Sequence, residues 1–287
     1  MTDRGTALVT GGTRGLGWWT AKVIADAGWD VLITGRDAAS VRAAAARLGE
    51  RVTGLPLDLN SLAEVRRFAG ELPPVRAVVC NAGVQRPDGR ARTADGIEQT
   101  FGVNHLAHFL LVRELLPRLV TPGRVVFVAS DTHDPSRRTG MPAPAYTGVR
   151  ALAYPGEVDG RRAYTTSKLC NVLTAYAFAR RTPVTQATVN AFDPGLMPGT
   201  GLARDYGPLA RFAWRYVLPA LTVVPGVNIH TPARSAASLA RLILDPSLAT
   251  TTGRYFSGSR ETHSSRESYN TPTAEDLWMG SEALLPT

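Results

Sequence analysis

Six short runs of β-branched and apolar residues recur along the chain, and helix-like stretches fill most of the gaps between them: Thr6 to Thr10, Val31 to Thr34, Val52 to Leu57, Ala77 to Cys80, Val125 to Ala129 and Thr188 to Phe192. Strands separated by helices cannot pair through tight hairpins. The pattern therefore predicts a mostly parallel sheet with helices on both faces, a doubly wound α/β domain. Sheets of this kind bind ligands beyond the carboxyl ends of their strands. Thr10, Arg36, Asp58, Asn81, Ser130 and Pro194 stand at or just past those ends, so six polar or turn-forming positions are expected on one rim.

The first run enters the turn Thr10-Gly11-Gly12-Thr13-Arg14-Gly15-Leu16-Gly17, and Trp18 to Ala27 then reads as a helix closed by Gly28. Strand, glycine-rich turn and helix is the order in which bare amides and a helix N-terminus cradle a pyrophosphate, as in a Rossmann-type fold. The spacing is Gly-x-x-x-Gly-x-Gly, unlike the Gly-x-Gly-x-x-Gly of many dehydrogenases, and alone it fits any tight strand-to-helix turn. Arg36 follows Gly17 by nineteen residues. A carboxylate there would accept the ribose 2′-hydroxyl, whereas an arginine accommodates a 2′-phosphate. Arg14 adds a second cation, so NADP(H) is favoured over NAD(H).

Further along, Ala38 to Leu48 reads as an alanine-rich helix, and Ser61 with Glu64 forms a capping-box pattern. A long helix is expected from Asn104 to Leu116, apolar on nearly every face and so buried. In Arg162 to Asn171, Tyr164 and Lys168 lie four residues apart on one helical face. A phenol holds its proton too firmly to act as a base at neutral pH, and an adjacent ammonium favours the phenolate. The pair is thus a tunable proton donor and acceptor. Lys22 and Lys168 are the only lysines among 32 basic residues, which sets this ammonium apart.

With 287 residues, 44% of them hydrophobic, the chain can bury one large core, and no linker composition divides it. A single domain over 1–287 is expected. The apolar runs are too short to span a bilayer and Met1 to Gly5 lacks signal-peptide form, so a soluble cytoplasmic protein is expected. Two cysteines, Cys80 and Cys170, make no disulfide framework. The net charge of +8 resides in scattered arginine pairs without an aromatic-interleaved stripe, which argues against nucleic acid and for anionic cofactors or a membrane surface. The five histidines give no metal set: His105 and His108 lack a third ligand, and core or capping roles suit them better. Ser130-x-x-His133-Asp134 is not a hydrolase triad, because no nucleophile elbow surrounds Ser130.

Gly11-x-x-x-Gly15-x-Gly17, Asp58, Asn81-Ala82-Gly83, Asn104, Ser130, Tyr164-x-x-x-Lys168 and Pro194-Gly195, in this order, resemble the short-chain dehydrogenase/reductase family over about the whole chain. The resemblance implies that Tyr164 exchanges a proton with the substrate oxygen while hydride moves to or from the nicotinamide. Lys168 would lower the phenol pKa and hold the nicotinamide ribose, Ser130 would donate to the reacting oxygen, and Asn104 would hold a relay water. The implied cofactor set is Gly11, Thr13, Arg14, Gly15, Leu16 and Gly17, then Arg36, Asp58 and Leu59, Asn81, Ala82 and Gly83, Tyr164 and Lys168, and Pro194, Gly195 and Met197. Asp58 would meet the adenine amino group. Gly199 departs from the family pattern, which commonly has a threonine there; Thr200 comes next.

Val103 to Phe109, Tyr164 to Leu173 and the tail from Gly253 to Leu285 look most like the branch of retinol dehydrogenases and light-dependent protochlorophyllide reductases. A turn-rich insertion at about 131–160 precedes Tyr164, and a tail at about 270–287 ends the chain. The cysteine that follows Pro-Gly in the photoreductases is Leu196 here, which counts against light-driven pigment reduction.

Substrate choice is expected in a lid at about 196–230. Leu202, Tyr206, Leu209, Phe212, Ala213, Trp214, Tyr216, Val217 and Leu218 make it apolar, with Arg204, Arg211 and Arg215 between. A lid over a bulky hydrophobic small molecule fits best; a helix resting on a membrane surface and a homo-oligomer contact are the alternatives. The expected activity is NADP(H)-dependent reduction of a ketone or aldehyde of such a molecule, or the reverse. Reduction of a conjugated C=C bond and a non-catalytic NADP-binding scaffold are its rivals. The arginine- and alanine-rich usage is compatible with a tailoring step in secondary metabolism.

Overall fold

The computed structural model describes residues 4–197 and 228–286. The lid residues from Leu202 to Leu218 and the Gly199-Thr200 position lie outside the described residues.

In chain order the elements are β1 (Thr6–Val9), α1 (Gly15–Asp26), β2 (Asp30–Gly35), α2 (Ala38–Ala46), β3 (Val52–Pro56), α3 (Leu62–Glu71) and β4 (Ala77–Cys80). Next come α4 (Gln99–Phe101), a π turn (Gly102–Leu106), α5 (Ala107–Leu115), β5 (Gly123–Val128), α6 (Val149–Ala153), α7 (Gly160–Arg181) and β6 (Ala187–Asp193). Beyond them lie α8 (Pro232–Leu244), β7 (Tyr255–Ser257), β8 (Arg260–Thr262) and α9 (Thr271–Leu284). The sheet order is β3-β2-β1-β4-β5-β6-β7-β8, and only the β7/β8 pair is antiparallel.

The strands are apolar on both faces because both are covered. Successive strand side chains point to opposite sides. Ala7 and Val9 enter a core with Leu16 and Ile24 of α1, Val41 of α2 and Leu239 of α8. Leu8, Val78, Val125 and Phe127 enter the opposite core with Phe68 of α3, Phe109 of α5, Leu173 of α7 and Leu277 of α9. That two-sided burial is the physical basis of the doubly wound reading, which the structure bears out.

Strand and helix ends shift by one or two residues at several places, and three departures from expectation are larger or change a cap. The long helix begins at Gln99 rather than Asn104, because Glu98 caps it by accepting from the amides of Thr100 and Phe101. The first helix begins at Gly15 rather than Trp18, so the last two glycines of the turn belong to its first coil. The capping box at Ser61 is only half formed: Ser61 accepts from Glu64 N, but the Glu64 carboxylate reaches Asp58 N instead of Ser61 N. The expected insertion contains two 3-10 turns, Asp131–His133 and Pro135–Arg137, followed by α6.

Helix α9 closes the back of α7. Trp278 sets its ring edge against Phe109 and Phe178, with centroids 5.0 and 4.7 Å away, and Arg181 stacks over it at 4.3 Å. Glu275 pairs with Arg181, and Ser281 Oγ lies 3.0 Å from His105 Nε2. Trp278→Ala should therefore lower stability by about 2 kcal/mol, less than the ~3–5 kcal/mol of a fully buried tryptophan. Thermal denaturation should show a Tm lower by roughly 5 °C. Met279→Ala, at a position 63% exposed, is the control and should leave Tm unchanged.

Candidate active and cofactor-binding site

The glycine turn is shaped by close approach. A Cβ on Gly17 would fall 2.4 Å from Gly11 O and 2.5 Å from Asn81 Nδ2, so only glycine lets α1 begin this close to the strand ends. Gly15 has a positive φ of 58°, and a Cβ at this position would meet no atom within 4 Å, so the turn leaves an open face against the first turn of α1. Arg14 takes the N-cap position without a side-chain cap bond. Asn81 ties the next loop to this turn: its Nδ2 donates to Thr10 O at 2.8 Å, and Thr10 Oγ1 accepts from the amides of Asn81 and Ala82 at 2.9 and 3.0 Å.

A cavity of about 440 Å³ opens beside the turn, lined by Thr13, Arg14, Arg36, Ser40 and Arg47 among others. Asp37, its one acidic lining residue, is engaged as the cap of α2, accepting from Ser40 N at 2.7 Å. A concave site with three arginines and an open glycine turn fits a dinucleotide bearing an extra phosphate. Arg47 has no counterpart among the expected contacts. It reaches the cavity from the far end of α2 and lies over the Trp18 ring, 5.4 Å from its centroid. Of the expected contacts, Leu16 and Leu59 turn their side chains into the two cores, so only their backbones face the rim. Asp58 Oδ1 accepts from Asn60 N and Nδ2 at 3.1 and 2.6 Å.

Across the rim, Tyr164 and Lys168 share the buried face of α7, with Lys168 Nζ 5.5 Å from the Tyr164 ring centroid. Nζ donates to Val128 O at 3.1 Å, at the end of β5 and two residues before Ser130. Burial pulls the ammonium down to about 8, with the charge of Asp193 opposing, so it remains mostly charged at neutral pH. A Cβ on Gly83 would come within 3.2 Å of Asn104 Oδ1 and 3.8 Å of Lys168 Nζ, which places the Asn81 loop, Asn104 and Lys168 side by side.

The π turn positions Asn104. Its Oδ1 accepts from Val84 N at 2.7 Å, and its Nδ2 lies 2.9 Å from Val84 O and 3.0 Å from Ser167 Oγ. The side-chain amide is thus occupied as a brace, which leaves the backbone carbonyl for other partners. That carbonyl already accepts from His108 Nδ1 at 3.1 Å. His108 Nε2 is consequently an acceptor and takes the Thr10 hydroxyl at 2.9 Å. Burial holds His108 down at about 4, so the ring is neutral. The one sequence signal for this link is the four-residue spacing from Asn104. His105 is buried with its partners Ser281 and Thr174, in keeping with the core role read from the sequence.

After β6, Gly195 takes a φ of 72° and donates its amide to Asp193 Oδ1, while Pro194 O accepts from Ser235 Oγ at 2.7 Å. Met197 packs against the α1 side of the core. Among the described residues, no helix is long and apolar enough to cross a membrane, and no group of three or more His, Cys, Asp or Glu side chains could hold a metal.

Comparison with known proteins agrees with this fold. The family model for short chain dehydrogenase matches residues 5–147. Protochlorophyllide reductase B, chloroplastic, of Oryza sativa subsp. japonica is 36% identical over 98% of this chain and 77% of its own length. The crystal structure of an uncharacterized protein from Mycobacterium Paratuberculosis superposes with a TM-score of 0.75 at 28% identity, covering 99% of this chain and 95% of that one. The Pseudomonas aeruginosa RhlG/NADP active-site complex gives a TM-score of 0.65 at 28% identity, covering 89% and 94%. A parallel sheet with these residues along one rim, and relatives over nearly its entire length, place the chain in the short-chain dehydrogenase family, in the branch of the protochlorophyllide reductases, as an NADP(H)-dependent oxidoreductase.

Proposed function

We propose that the protein uses NADPH to reduce the carbonyl of a hydrophobic ketone or aldehyde, or runs the reverse alcohol oxidation, with Tyr164 as proton donor and acceptor. The buried Lys168 ammonium beside the Tyr164 ring carries this reading, because it makes a phenol usable as an acid and base near neutral pH. Bound NADPH supplies the hydride. Arg14 and Arg36 hold the 2′-phosphate, and the amides behind Gly15 hold the pyrophosphate. Ser130 donates to the substrate oxygen, where charge develops, and Tyr164 delivers its proton to the same oxygen. Lys168 stabilises the resulting phenolate, and a water on the Asn104 carbonyl returns the proton from solvent.

A second reading, reduction of a conjugated C=C bond with the Tyr164 proton going to carbon, is favoured by the relatives named protochlorophyllide reductases. NADPH oxidation in the dark and under illumination, over a panel of bulky ketones, aldehydes and enones, separates the two. Dark turnover of ketones is the expected result. Reduction confined to the C=C bond of enones, or any requirement for light, would overturn the carbonyl assignment.

A further inference from the structure

Ser130 is the first member of a half-buried hydrogen-bond chain that ends on the buried Asp193. Its Oγ accepts from Thr132 N at 3.3 Å and donates to Asp131 Oδ1 at 3.3 Å. Asp131 Oδ2 accepts from Asn228 Nδ2 at 3.0 Å, and the same amide gives its second hydrogen to Asp193 Oδ2, also at 3.0 Å. Asp193 accepts in addition from Gly195 N and Ser257 Oγ, both at 2.9 Å. Two carboxylates thus share one amide next to the serine.

A serine hydroxyl has a single proton to give, and an ionised carboxylate can only accept. While Asp131 is charged, the Ser130 proton is drawn to it. A protonated Asp131 has a hydrogen of its own to offer Ser130 Oγ, which frees the serine proton for another acceptor. We propose that Asp131 is a positioning residue that sets the direction of the Ser130 hydroxyl, holding its proton away from the substrate oxygen when ionised and releasing it when protonated. Its bearing on turnover rests on the carbonyl-reduction reading; the orientation itself does not.

The surrounding charges favour a change near physiological pH. Burial and then the Asp193 charge push Asp131 up to about 6, against the hydrogen bonds from Asn228 and Ser130 and the positive charge of Arg137. Arg137 is itself paired with Asp134 at 3.4 Å. Tyr255 of β7 faces both carboxylates, and Lys168 of α7, His133 and His230 interact with Asp193. Below pH ~6 the serine is free to donate and the Asp131 charge no longer opposes a developing oxyanion, so reduction is faster. Above it, the ionised Asp131 holds the serine proton away and slows both directions, since reduction and its reverse share one transition state.

Asp131→Asn imitates the protonated state: the new oxygen accepts from Asn228 and the new amide donates to Ser130. The test uses the full chain bound to NADP+, labelled with 13C in serine and aspartate, titrated by NMR from pH 4.5 to 8. The Ser130 Cβ shift is expected to follow the Asp131 carboxyl through one inflection, to lose it in Asp131→Asn, and to move it to lower pH in Asp193→Asn, where the like charge is gone. Single-turnover NADPH oxidation with phenanthrenequinone should fall about tenfold between pH 5.5 and 7.5 in the wild type and stay flat in Asp131→Asn; removing such a donor outright costs ~10²-fold or more. A Ser130 signal that stays flat while Asp131 titrates, or an inflection retained in Asp131→Asn, overturns the proposal whatever the turnover. A Ser130 signal that follows Asp131, with no carbonyl compound reduced, supports the positioning role and removes the carbonyl-reductase reading instead.

Discussion

Tyr164→Phe is expected to lower NADPH-dependent carbonyl reduction by about 10³-fold while leaving NADPH affinity within about twofold, since a positioned proton donor contributes ~10²–10⁴-fold. The change deletes one oxygen from a ring that is 8% exposed, so packing is preserved and the loss falls on proton transfer. Lys168 keeps its bond to Val128 O, so the ammonium stays in place but has no phenol to act on. A hydride step that slows without a change in cofactor Kd would isolate the proton donor. Undiminished single-turnover rates in the variant would remove Tyr164 from the chemistry altogether.

The second large effect is on cofactor choice. Arg14→Ala combined with Arg36→Ala should weaken NADPH about 10²-fold and leave NADH nearly unchanged. Charge-assisted bonds are worth ~1.5–3 kcal/mol each. Both arginines are exposed, so the lower end applies, and two such contacts give about 3 kcal/mol. Arg47 stays over Trp18 in the double variant and keeps part of the positive field at the cavity. Calorimetric titration with each nucleotide reads the two affinities directly, and a loss of equal size for NADH would mean that the arginines hold something other than the 2′-phosphate. The wild-type preference for NADPH should also shrink with added salt, because these charges face solvent.

The parallel sheet was legible because its central strands β2, β1, β4, β5 and β6 are largely buried on both faces and write continuous apolar runs, as Ala77 to Cys80 does. β7 and β8 were not, for a physical reason. Each has three residues, Arg260 and Glu261 among them, and an edge hairpin of that length carries no run or alternation to detect. The rim was read from residues that immediately follow strands, where the chain itself fixes the location. Contacts made by tertiary folding left no such mark. Arg47 is separated from Arg36 by the whole of α2, and Asn228 is 97 residues from Asp131, meeting it because its segment pairs with Leu196 just past β6, the neighbour of β5. The helix start at Gln99 was hidden by Gly102, whose low intrinsic propensity is overridden by the Glu98 cap.

The chain of bonds from Asn81 through Thr10 and His108 to Asn104 has a thermodynamic consequence. The amides of Asn81 and Ala82 and the carbonyl of Asn104 are fastened to one another by the fold alone. Loops that must order around a nucleotide surrender conformational entropy at the moment of association, and affinity drops accordingly. For the Asn81 loop that ordering is complete when the polypeptide folds. Nucleotide association should thus proceed with little stiffening of this loop, and the Asn81 and Ala82 amides should exchange with deuterium almost as slowly in the free protein as in the complex.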